Sequence, residues 1–79
     1  MPKDDARPTL PHLRAWRMYA LLSQKQLADK AGVGVATIIR LERGEHANYL
    51  TVQRLANALG ISARRLVDEP PRSTEHERE

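Results

Sequence analysis

Two short runs of helical spacing, only about three residues apart, constrain this chain more than any other feature. The first, Gln24–Ala31, sets Leu27, Ala28 and Ala31 on one face. The second, 35–43, sets Ile38 and Leu41 on one face. Helices this short are marginal on propensity alone, so each must bury its apolar face against a neighbour. A joint this tight forces the two to cross steeply. The packing then makes specific demands. Ala28 has to be small where the helices approach, and Gly32 has to permit the turn. Leu27, Val33, Ile38 and Leu41 have to close the junction. Each of these positions is filled suitably.

No segment between the two ends alternates with a period of two, so an all-α fold is expected. The spacing predicts a first helix over 10–19, with Pro11 in its first turn and Leu13, Trp16 and Ala20 inward. Ser23 caps the second helix, whereas Gly34 before the third offers no capping oxygen. Gly44 ends the third. Asn48 caps a fourth helix that carries Val52, Leu55, Ala56 and Leu59 inward, and Gly60 closes it. Ser62 caps a last short helix over 63–67, which Pro70 and Pro71 terminate. The expected organisation is a flexible arm over 1–9, one compact five-helix domain over 10–69 and a disordered acidic tail over 70–79.

Composition narrows the function classes. The chain has 79 residues and no cysteine, which excludes a disulfide framework, a thiolate metal site and a Cys nucleophile. His12, His46 and His76 are scattered without metal-ligand spacing, and no glycine-rich phosphate loop occurs. An enzyme is not expected, and no metal or cofactor is implied. No apolar run is long enough to span a membrane, and the first residues lack the apolar core of a signal peptide. A cytoplasmic location without membrane attachment is expected. The formal charge of +3 is unevenly spread. Residues 10–67 carry nine Lys or Arg against Asp29, Glu42 and Glu45, a net +6, while the flanks are neutral or acidic.

The segment QKQLADKAGVGVATIIRLERGE resembles the helix-turn-helix of the Xre family, the lambda repressor and Cro type. LRAWR before it and LTVQRLANALGIS after it are similar to the family's first and fourth helices. The ordered set of Arg17, Ser23-Gln24, Leu27-Ala28, Gly32, Leu41-Glu42-Arg43-Gly44 and Leu55-Ala56-x-Ala58-Leu59-Gly60 carries the likeness, over about residues 10–67. The resemblance implies a lambda-repressor-like fold and sequence-specific binding of double-stranded DNA by a small transcriptional regulator, a repressor by preference. The recognition helix would be about 35–43, in the major groove.

The resemblance also assigns roles. Gly34, Val35, Ala36, Thr37, Ile39 and Arg40 match base-reading positions. Apolar side chains touch only thymine methyls, so the hydrogen-bonding load falls on Thr37 and Arg40. Ile39 is expected in solvent, at a thymine methyl or a protein interface. Ser23, Gln24, Lys25, Arg43, Asn48, Thr51 and Arg54 match phosphate-facing positions. Arg17 and Glu42 match an ion pair that fixes the third helix. A carboxylate at Glu45 would repel phosphates, so it is expected to face away from them. A homodimer is an expected partner state, in solution or only on DNA, through Leu50, Ile61, Leu66 and Val67. Tyr49 matches an apolar position at the core edge. The alternative function is a protein-interaction module, such as an antitoxin or coregulator, acting through a protein partner with Ile39, Tyr49 and Leu50.

Overall fold

Capping residues set where the helices begin and end. The computed structural model describes residues 7–72; residues 1–6 of the expected arm and 73–79 of the expected tail lie outside them. Five helices follow in order: α1 (Leu13–Tyr19), α2 (Gln24–Ala31), α3 (Val35–Glu42), α4 (Tyr49–Leu59) and α5 (Ala63–Asp68). Ser23 Oγ accepts from the Gln26 N–H, and Gln26 Oε1 accepts from the Ser23 N–H, a reciprocal capping box. Asn48 and Ser62 cap α4 and α5 through the N–H groups of Thr51 and Arg65. Gly32 ends α2 at φ 74° and Gly60 ends α4 at φ 72°, where a side chain would be strained.

The first helix starts later than the spacing predicts. Leu10 is buried, and its carbonyl accepts from the Leu13 N–H at 3.1 Å, so the chain turns before it coils. Pro11 therefore sits second in a turn, which its fixed φ also suits, rather than inside α1. Ala20, expected inward, is exposed, because the helix ends at Tyr19 and the chain reverses through Leu21 at φ 62°.

The core is aliphatic. Leu10, Leu13, Leu27, Ile38, Leu55 and Leu66 are almost entirely inaccessible, joined by Trp16, Ala28, Ala31, Leu41, Ala47, Val52 and Ala56. No polar or charged residue is buried as a whole among the described residues. α2 packs on both α3 and α4, and α5 closes on α1 and α4. The Trp16 indole N–H donates to the Glu69 carbonyl at 2.8 Å, and the Arg65 guanidinium lies 5.3 Å from the same ring's centre. These contacts hold the chain beyond α5 against α1. On the other side, the Ala47 N–H donates to the Pro8 carbonyl at 2.8 Å, and Thr9 bridges His46 antiparallel. Residues 8 and 9 are thereby tied to the loop before α4. Among the described residues, no helix is long and apolar enough to cross a membrane.

Candidate nucleic-acid interface

The orientation of α3 rests on one largely buried carboxylate. Glu42 accepts from Arg17 Nε at 2.7 Å, Arg17 Nη2 at 3.2 Å and Gln24 Nε2 at 3.1 Å. Arg17 Nη1 also donates to the Leu22 carbonyl. The two ionic side chains are only 13% and 8% exposed. A two-pronged guanidinium–carboxylate bond fixes direction as well as distance, so α1, α2 and α3 are locked at one point. Gln24, matched to a phosphate contact by resemblance, spends its side-chain amide on this network. What α2 still offers an anion is the backbone N–H groups of Gln24 and Lys25, since that of Gln26 is taken by the Ser23 cap.

The outward side of α3 carries the residues matched to base reading. Gly34, Val35, Ala36 and Arg40 are exposed, whereas Thr37 is half-buried. Ile39 differs from expectation, being half-buried rather than solvated. Gly34 caps α3 with no side-chain hydrogen bond, at φ −75° and ψ 148°, close to the angles of Ser62. A Cβ added there would meet nothing nearer than Thr37 Oγ1 at 4.0 Å. Gly34→Ser is therefore expected to raise stability by about 0.5–1 kcal/mol, through a new cap and a less flexible unfolded chain. Thermal melting should rise by about 2–8 °C for a domain of this size.

Thr37 and Arg40 of α3 meet Asn48 and Thr51 of α4 across a polar cleft of about 200 Å³. Arg7, Glu45 and His46 also line it. Arg7 is missing from the residues matched by resemblance, since it comes from the arm and only the Pro8–Ala47 and Thr9–His46 contacts bring it here. Glu45, expected to face away from phosphates, shares this cleft with residues matched to them. Its Oε1 lies 3.6 Å from Arg40 Nε. The remaining matched cations do not line this cleft. Lys25 pairs with Asp29 at 3.2 Å on the exposed side of α2. Arg54 Nη1 donates to the Gly32 carbonyl at 3.3 Å, which ties α4 to the turn. Arg43 is exposed at the end of α3. Surface pairs of this kind are worth about 0–1 kcal/mol each, so these cations can be redirected to a phosphate at small cost.

The expected dimer surface is only partly available. Leu66 is fully buried in the core, and Ile61 and Val67 are half-buried. Tyr49, expected at the core edge, is 61% exposed, as is Leu50. Tyr49 and Val67 line an apolar cleft of about 390 Å³ between α4, α5 and Pro8. No group of His, Asp or Glu suited to a metal ion occurs among the described residues.

Two short helices joined at a glycine turn, with the second presented outward and braced from behind, define a helix-turn-helix domain. The helix-turn-helix family model matches residues 13–66, and the chain belongs to that family, in its Xre or lambda-repressor type. It is a DNA-binding transcriptional regulator. Among solved structures, it is similar to the restriction-modification controller protein C.AhdI from Aeromonas hydrophila. The two share 33% identity over 71% of this chain and 86% of that one, with a TM-score of 0.68. It is also similar to the N-terminal DNA-binding domain of the biofilm regulator SinR from Bacillus subtilis, at 25% identity over 87% and 96% of the two chains, TM-score 0.67. A third likeness is to Streptomyces albus HEPD, solved with 2-hydroxyethylphosphonate and Fe(II). It has 30% identity and a TM-score of 0.69 over 75% of this chain, but only 14% of that one. No curated protein matches the sequence significantly.

Proposed function

We propose that the chain binds double-stranded DNA sequence-specifically, as a small cytoplasmic repressor without catalytic activity of its own. α3 enters the major groove, with Thr37 and Arg40 hydrogen-bonding to base edges and Val35, Ala36 and Ile39 against thymine methyls. Gly34 lets the backbone approach closely. Ser23, Gln24, Lys25, Arg43, Asn48, Thr51 and Arg54 face the phosphates on either side. The observation that carries this reading is the shared cleft in which α3's Thr37 and Arg40 meet α4's Asn48 and Thr51. It gathers on one surface groups matched by resemblance to base reading and to phosphate contact. The likeness to a restriction-modification controller protein supports a regulatory role.

Exposed Tyr49 and Leu50, with the apolar cleft that Tyr49 and Val67 line, support a homodimer that forms in solution or on DNA. The same surface supports the rival reading, a module that acts through a protein partner. Selection of bound duplexes from a random pool separates the two. A DNA reader enriches a motif, and Arg40→Ala then lowers affinity for that motif about tenfold, as expected for a lost base contact. A pure interaction module enriches none.

A further inference from the structure

We propose that Glu45 sets the sequence preference of the contact made by Arg40. The proposal rests on the major-groove reading of α3 given above. Glu45 is not beside Arg40 by chance of side-chain rotation. Gly44 turns the chain at φ 107°, and the Glu45 N–H donates to the Arg40 carbonyl at 3.2 Å. The backbone thus returns Glu45 to the last turn of α3. From there its carboxylate lies 3.6 Å from Arg40 Nε, with the two side chains about half exposed.

The atom engaged matters. A guanidinium has five N–H donors in one plane. With Nε nearest Glu45, the edge carrying Nη1 and Nη2 is left for a base, and that edge fits the O6 and N7 acceptors of a guanine. A phosphate makes no such planar demand, so an untethered Arg40 would take one readily. Glu45 opposes that outcome in two ways. Its carboxylate biases the guanidinium toward the arrangement that keeps Nε near it, and its negative charge repels phosphate oxygens near the cleft. Non-specific affinity is thereby lowered more than affinity for the preferred base pair. Glu45 acts through Arg40 and is a positioning residue.

The test uses the full chain, its E45Q and R40A variants and the double variant. The probes are a pool of random duplexes and one duplex carrying the motif that the unsubstituted chain enriches. Thermal melting first establishes that each protein is folded at the assay temperature. E45Q is expected to bind random duplex about threefold more tightly and to lose about fivefold in preference at one base pair, the scale of an exposed ion pair. In the R40A background, E45Q is expected to leave base preference unchanged while still raising non-specific affinity. A base preference kept within twofold by E45Q overturns the proposal. So does a shift in base preference by E45Q that persists without Arg40. Both results leave the major-groove reading standing. If the unsubstituted chain enriches no motif, that reading fails and the proposal falls with it.

Discussion

Glu42→Ala is expected to lower stability by about 3 kcal/mol, the scale for removing one partner of a largely buried ion pair. Three donors converge on this carboxylate, and two belong to an arginine that is itself only 13% exposed. Alanine strands that guanidinium with the Leu22 carbonyl as its remaining acceptor in this network. A small domain has a total stability on the order of 5 kcal/mol, so the loss takes most of it. Melting should fall by roughly 12–24 °C at the sensitivity expected for this size. Affinity for DNA should fall with it, because the same bond holds the angle of α3. Glu42→Gln keeps the shape and one acceptor, so a smaller loss is expected. An alanine variant with unchanged melting and unchanged affinity would show that the network positions nothing.

The second large effect is that of salt on DNA binding. Each phosphate neutralised by a cation contributes about −0.9 to the slope of log affinity against log salt. Lys25, Arg43 and Arg54 of one protomer therefore give a slope near −2.7, and two protomers on one duplex give about −5.4. Between 50 and 200 mM salt, those slopes mean losses of about 40-fold and about 2,000-fold. A titration thus reads the electrostatic share of binding and the number of protomers together. Neither Lys25's pairing with Asp29 nor Arg54's bond to Gly32 opposes this, since exposed contacts exchange at little cost. A flat response would remove Lys25, Arg43 and Arg54 from the phosphate-facing set.

Helix limits were legible where their cause is local. Ser23, Asn48 and Ser62 cap because of their own hydroxyl or amide oxygen, and Gly32 and Gly60 end helices because of their own backbone freedom. The start of α1 was misread because Pro11 suits a turn and a first helical turn equally, and the burial of Leu10 decided between them. The Arg17–Glu42 pair came from the family likeness, since no spacing rule joins residues 25 apart. Two features of the candidate site escaped for the same reason. Gln24's partner belongs to another helix. Glu45 reaches Arg40 only because Gly44 turns the chain back.

Trp16 has a practical consequence. It is the chain's one tryptophan, its ring is 4% exposed, and its N–H is held by a carbonyl 53 residues onward. Indole emission therefore reports whether the two ends of the domain are joined. The proposed groove-facing residues lie on α2, α3 and the start of α4, whereas the indole is packed between α1 and the chain beyond α5. Fluorescence can accordingly follow folding while duplex occupies the other surface, and loosening of the C-terminal end can be timed separately from release of DNA.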